Sequence, residues 1–302
     1  MDSAEHDWID RFIGHLSHER RLSDLTCRHY RRDIVALADY CDEVGVTCWR
    51  DLDSEHLRSW SAANFRRGLS SRTIQRRLSA ARTFFRYLLR EKAVSANPAQ
   101  AVSAPKAPKR LPGSLDADRM ARLLDIRGDG PIVARDRAML ELLYSSGLRL
   151  AELTGLDLGD VDLGDATVRV TGKGSKERVV PVGRLALAAV RDWLKRRVTM
   201  AAEGETAMFV SARGQRLSRR GVQSRVKHWA AQQGIDLRVY PHLFRHSFAT
   251  HVLESSHDLR GVQELLGHAN ISTTQVYTHL DFQHLAQIYD QTHPRARIKQ
   301  KD

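Results

Sequence analysis

The chain has 302 residues, enough for two domains that each bury a core of their own. Its formal net charge of +12 points to an anionic partner, whether nucleic acid, a membrane surface or an acidic protein. No run of about 18 apolar residues occurs, which excludes an ordinary membrane-spanning helix, and Cys27, Cys41 and Cys48 form neither an even set nor a CxxC pair, which argues against a disulfide framework or a zinc ribbon. Met1 to Asp7 lacks the basic and apolar regions of a leader, so a cytoplasmic protein is expected.

The first third reads as four helices. Trp8, Ile9, Phe12, Ile13 and Leu16 recur at helical spacing, as do Tyr30, Ile34, Leu37 and Cys41 behind a capping Ser23, and a third run begins near Ser54. The fourth helix, from about Ser71 to Glu91, sorts into two faces. Ile74, Leu78, Ala81, Phe84, Phe85, Leu88 and Leu89 fall within an arc of roughly 140°, and Arg72, Arg76, Arg82, Arg86 and Arg90 within roughly 120° on the other side. A solvated face usually mixes signs, whereas this stripe meets no acid until Glu91, so it is read as a phosphate-contacting surface that is salt-dependent and blind to base sequence. Arg77 falls on the apolar side and does not fit the partition.

Four of the eight prolines, Pro98, Pro105, Pro108 and Pro112, lie between Asn97 and Gly113, interleaved with Lys106, Lys109 and Arg110. Proline at this density stiffens and extends a segment that is neither helix nor central strand. The expected organisation is a helical domain over residues 1–92, a basic linker over 93–112 that contacts phosphate through Lys106, Lys109 and Arg110, and a second domain over 113–302. In the second domain, Arg135 to Ser146 reads as an amphipathic helix ending at Gly147. Val168 to Val170 and Val179 to Val182 read as an antiparallel pair around the turn Thr171 to Lys176. Helices return near Leu185 to Arg197 and from Gly221 onward, giving a mainly α chain with one small antiparallel sheet.

Attack on a phosphodiester without a metal requires positive charge at the non-bridging oxygens, a nucleophile, and an acid for the departing 5′ oxygen. Arginine suits the first task because its planar fork donates paired hydrogen bonds and stays charged. Candidates stand in the order Arg149, Lys173, His242, Arg245, His268 and Tyr277, and His242 and Arg245 share one face of a run that looks helical after Pro241. Singly, each has a plain reading: Arg149 as a helix C-terminal cap, Lys173 as a solvated turn residue, Tyr277 as one packed tyrosine among seven. Glu152, three residues after Arg149, would share its helical face and orient it if the helix continues. His242, His246 and His251 are four and five apart but lack the acid of HExxH, so no metal site is expected; His251 is placed on a helix surface.

Arg149, Lys173, His242-x-x-Arg245, His268 and Tyr277, in this order and with His268 nine residues before the tyrosine, resemble the signature of the tyrosine recombinases. The strings Gly147-Leu148-Arg149-Leu150-Ala151-Glu152-Leu153, Gly172-Lys173-Gly174-Ser175-Lys176-Glu177-Arg178 and Leu265-Leu266-Gly267-His268-Ala269-Asn270 share the likeness. Ser103 to Pro108 and His279 to Leu285 are similar to the bacterial Xer branch.

The resemblance implies an N-terminal, SAM-like core-binding domain and a mostly helical catalytic domain. It implies a phosphate clamp of Arg149 and Arg245, hydrogen bonds from His242 and His268, Lys173 as general acid and Tyr277 as nucleophile, with Glu152 orienting Arg149 and no cofactor. It further implies double-stranded DNA with a dif-like site, a paralogous recombinase XerD in a heterotetramer, an FtsK-type DNA translocase as regulator, and a tail after Tyr277 that docks into a neighbouring subunit. The rival readings are a phage or mobile-element integrase or a type IB topoisomerase of the same chemistry, and a DNA-binding regulator that never cuts, for which Tyr277 would be dispensable.

Overall fold

The computed structural model describes residues 1–106, 114–172 and 177–256. The chain divides into two compact units, Met1–Arg110 and Leu111–Asp302. Among the described residues, no helix is long and apolar enough to cross a membrane, and the three cysteines are free.

The first unit is built on α1 (Ser3–Gly14, running on into a π turn at His15–Glu19), α2 (Asp24–Glu43), α3 (Ser54–Arg66) and α4 (Ser71–Arg90). The starts are set by side-chain caps. Ser23 accepts from the Thr26 amide and Ser70 from the Thr73 amide, while Asp53 accepts from the Glu55 and His56 amides, satisfying donors that a helix N-terminus leaves open. The core beneath is aromatic. Phe84 meets Phe12 and Trp49 edge-on, with centroids 5.2 and 4.9 Å apart, and Trp49 is pinned to α1 by its indole and backbone N–H groups donating to Glu5. The apolar face of α4 is buried as its periodicity requires, and Arg77 finds its explanation there. Its guanidinium lies 6.0 Å from the Trp60 ring and donates to the Asn64 side chain, whose own amide is held by the Trp60 carbonyl. Beyond α4 the backbone folds back, so that Ala99 and Val102 are buried against this core.

The second unit contains α5 (Ala117–Leu124), α6 (Pro131–Ser145), α7 (Leu150–Gly155), β1 (Val161–Asp162), β2 (Thr167–Thr171), β3 (Glu177–Pro181), α8 (Arg184–Arg197), α9 (Arg219–Gln232) and α10 (Pro241–Ser256). The strands form one antiparallel sheet in the order β1-β2-β3, with Val168 opposite Val180 and Val170 opposite Arg178. The mainly helical fold with one small sheet agrees with the sequence reading; α5 and β1 were not anticipated.

The helix from Arg135 to Ser146 is not amphipathic. From Ala134 to Ser145 every residue of α6 except Arg137 is buried, because α8, α10 and α5 enclose it. Burial extends to charge. Asp136, fully withdrawn from solvent, accepts from Arg135 through Nε (3.0 Å) and Nη2 (2.7 Å), from Arg225 through Nε (2.5 Å) and from the Trp229 indole (2.9 Å). Arg135 also donates to the Val210 carbonyl at 2.9 Å. One carboxylate thereby ties α6 to α9, and removing it strands a buried guanidinium.

Asp136→Ala is expected to destabilise the full chain by about 3–5 kcal/mol in urea unfolding, the cost of breaking a buried, hydrogen-bonded ion pair from one side. A loss below about 1 kcal/mol, the size of an exposed pair, would contradict this role.

Candidate active site

The site begins where α6 ends. Ser146 Oγ donates to the Pro181 carbonyl at 2.8 Å, and the Gly183 amide donates to Ser145 Oγ at 2.7 Å, so the last turn of α6 grips the end of β3. Gly147 follows with φ +56°, a left-handed conformation that a side chain resists, and turns the chain so that Leu148 is buried and Arg149 emerges. Arg149 is extended (φ −75°, ψ 150°) and precedes α7 rather than continuing α6. Glu152 therefore meets it as a helix cap: the carboxylate accepts from the Arg149 amide and from Arg149 Nη1, both at 2.8 Å.

A second guanidinium reaches the same carboxylate from the sheet. Alternation along β3 places Arg178 with Val180 on the inward side while Val179 faces outward, and Val170 stands opposite Arg178. Arg178 donates to both carboxylate oxygens of Glu152, at 2.8 and 3.0 Å. Glu152 is 4% exposed. Burial alone would raise its pKa, but the hydrogen bonds from Arg178 and Arg149 outweigh that and hold it at about 2.

Arg245 enters from α10, where Phe244, Phe248 and Val252 are buried and fix the helix against the core. Its Nη1 donates to the Gly147 carbonyl at 2.7 Å, so the turn that presents Arg149 also holds Arg245. Burial lowers the Arg245 pKa to about 10, and the charges of Arg149 and Arg178 push the same way while Glu152 opposes them; it remains a cation at neutral pH. His242, one turn earlier on α10 and exposed, has its pKa lowered by partial desolvation, then by Arg245, His246 and Arg149. Three arginines thus surround one carboxylate, with Arg149 reaching solvent. That excess of positive charge suits a phosphate whose oxygens are gripped by more than one guanidinium.

Residues 114–284 match the model of the phage integrase family, and residues 9–92 that of the phage integrase N-terminal SAM-like domain. The chain belongs to the phage integrase family. It is 50% identical over 292 residues to the tyrosine recombinase XerC of Shigella flexneri, covering 97% of this chain and 98% of that protein. The same figures hold for tyrosine recombinase XerC of Escherichia coli (strain K12 / DH10B). Among solved structures, the XerH site-specific recombinase bound to palindromic difH substrate shares the fold, with a TM-score of 0.70 at 21% identity and 94% of each chain covered. The chain is accordingly a DNA strand-transferring site-specific recombinase.

Of the residues this recombinase was expected to use, Arg149, Glu152, His242 and Arg245 are gathered at one place. Lys173, His268 and Tyr277 lie outside the described residues, as do the segment after Tyr277, Lys109 and Arg110. His251 corrects the expectation of a surface position. It is buried and its Nδ1 hydrogen-bonds the Tyr144 hydroxyl at 2.8 Å, because that side of α10 faces α6 rather than solvent. His246 is half-buried on the same helix.

The stripe on α4 divides. Arg72 and Arg86 lie exposed, while Arg76 pairs with buried Asp33, Arg90 with Glu19 and Glu91, and Arg82 donates to the Ala99 and Val102 carbonyls, fastening the segment beyond the helix. Lys106 is exposed. Sequence reasoning missed a basic surface on α9, where Arg219, Arg220, Lys227 and His228 are exposed; the signal was a stretch from Thr206 to Ile235 without one acid. It also gave no role to Arg178, whose charge on a strand beside a turn reads as a solvated side chain.

The Glu152 pKa carries a stability prediction. With the folded value near 2 and the ordinary value 4.5, its stabilisation is complete above the ordinary value and is lost as pH falls towards 2. Unfolding of the wild type and Glu152→Gln followed in urea is expected to show a constant gap above about pH 5.5 that narrows below it. A gap unchanged down to about pH 3 would mean that the carboxylate is not held by these arginines.

Proposed function

We propose that this recombinase cuts and rejoins double-stranded DNA through a phosphotyrosyl bond on Tyr277, with Arg149 and Arg245 as the clamp on the scissile phosphate. The observation that carries this reading is the convergence of Arg149 and Arg245 on the Gly147 turn, where Glu152 and Arg178 fix the first and the Gly147 carbonyl holds the second. In the proposed step the Tyr277 oxygen attacks phosphorus, the bond to the 5′ oxygen breaks, and Lys173 gives that oxygen its proton. The guanidinium groups stabilise the charge on the non-bridging oxygens of the pentacoordinate transition state. His242 and His268 hydrogen-bond the phosphate and help to remove the phenol proton, whose ordinary pKa near 10 makes cationic neighbours necessary. Reversal, with a 5′ hydroxyl attacking the phosphotyrosine, restores a phosphodiester and needs no nucleotide.

The identity to XerC over nearly the whole of both chains supports a specific setting. In it, the recombinase pairs with a paralogue, XerD, in a heterotetramer at a dif-like site, resolves chromosome dimers before cell division in the cytoplasm, and answers to an FtsK-type translocase. The exposed arginines Arg72 and Arg86, with Lys106, Lys109 and Arg110, would hold the DNA backbone.

A duplex nicked beside the cleavage point, incubated with protein and EDTA and run on a denaturing gel, tests the chemistry. Wild type is expected to give a shifted covalent band and Tyr277→Phe none. A band from the Phe variant, or none from wild type with its partner present, would sink the reading. Lys173→Ala is expected to slow cleavage by about 10²–10⁴, with most of the loss recovered on a substrate whose departing 5′ oxygen is replaced by sulfur, which leaves without an acid. No recovery on that substrate would remove Lys173 from the role.

A further inference from the structure

We infer that Arg178 is a positioning residue for DNA cleavage, acting on Arg149 through Glu152. The inference rests on the reading of Arg149 as a phosphate clamp. Glu152 offers two buried oxygens, and both are contested: Oε1 accepts from Arg149 Nη1 and Arg178 Nη1, each at 2.8 Å, and Oε2 from the Arg149 amide at 2.8 Å and Arg178 Nη2 at 3.0 Å. Arg149 engages Glu152 through one terminal nitrogen while its side chain stays 42% exposed, whereas Arg178 engages both oxygens and is 16% exposed. The buried fork is the anchor and the exposed one is the working group.

Two consequences follow from the shared acceptor. First, Arg178 holds Glu152 in one rotamer, since a bidentate pair fixes the carboxylate plane, and that plane sets where Arg149 points. Second, Arg178 draws off part of the negative charge that would otherwise be spent on Arg149. Without it, the carboxylate would bind Arg149 with its full capacity and compete with a DNA phosphate for the same guanidinium. The strand register makes the arrangement obligatory, because Arg178 sits opposite Val170 on the inward side of the sheet, where an uncompensated cation would be costly. Its Nε is buried and has no hydrogen-bond partner among the described residues, so Glu152 is the contact that holds the group.

The test is a double-mutant cycle on the full chain, using single-turnover covalent capture on the nicked duplex with duplex affinity measured alongside. Arg178→Met is expected to slow capture by about 10- to 100-fold, the range seen when the partner that orients a working side chain is lost. Affinity for the duplex should change by less than about 3-fold, because Arg178 does not itself touch DNA. In a Glu152→Gln background the same substitution is expected to slow capture by less than about 3-fold, since the route from Arg178 to Arg149 is already cut.

Full additivity of the two losses, wild-type capture by Arg178→Met, or a loss that lies wholly in affinity would each overturn the inference. Should Arg178→Met fail to fold by circular dichroism, Arg178→Lys decides: it keeps the charge but not the fork. It is expected to slow capture at least about 5-fold with affinity intact, and capture at the wild-type rate would overturn the inference. Failure of the underlying reading is separate, because it shows as no covalent capture by the wild type itself.

Discussion

Glu152 is a carboxylate placed where carboxylates are costly, and much of the catalytic unit is arranged to justify it. Burial of the charge is tolerated because Arg149 and Arg178 supply hydrogen bonds to both oxygens, which keeps the group ionised to about pH 2. The two arginines come from a helix cap and from a strand, so the two hydrogen bonds from Arg178 join α7 to the sheet. A carboxylate in this position cannot be exchanged for an amide without loss, since Gln cannot accept from two guanidinium groups on both terminal atoms.

The precision of that centre is inherited from contacts made away from it. Asp136 ties α6 to α9, Tyr144 ties α6 to α10 through His251, and Ser145 and Ser146 tie the end of α6 to β3 and the start of α8. Gly147 then converts the buried end of α6 into a turn whose carbonyl receives Arg245. Arg149 and Arg245, distant in sequence, are in this way referenced to one backbone position, and a phosphate lying between them would be met by preorganised donors rather than by side chains that must first be ordered.

How much of this was legible in the sequence depended on whether a local signal existed. The helices of the first unit were readable because Ser23 caps α2 and their apolar residues keep one period, and α4 was readable to its last turn. The amphipathic reading of α6 failed because α5, α8 and α10 enclose it from Ala134 to Ser145 and bury charged positions along with apolar ones, so Arg135, Asp136 and Glu141, which a sequence pattern counts as solvent-facing, lie inside. Likewise Arg76 and Arg82 satisfied the pattern of a phosphate-binding stripe, yet one is committed to Asp33 and the other to backbone carbonyls; partners distant in sequence leave no mark on a helical wheel. Arg149, His242 and Arg245 were found through spacing and resemblance, and Glu152 through its offset of three. The contact with Glu152 nevertheless arises from a cap after a glycine turn, not from one continuous helical face. Arg178 carried no signal because its role exists only in the pairing of β3 with β2 and the approach of α7.

The central claim is that Arg149 and Arg245 meet on a single scissile phosphate. It is tested most directly by determining the structure of Tyr277→Phe trapped on an uncut duplex carrying the proposed dif-like site. The account predicts guanidinium nitrogens of both residues within hydrogen-bond distance of the non-bridging oxygens of one phosphate, with Glu152 still bridging Arg149 and Arg178. Two arginines on different phosphates, or Arg149 turned away from DNA, would contradict it.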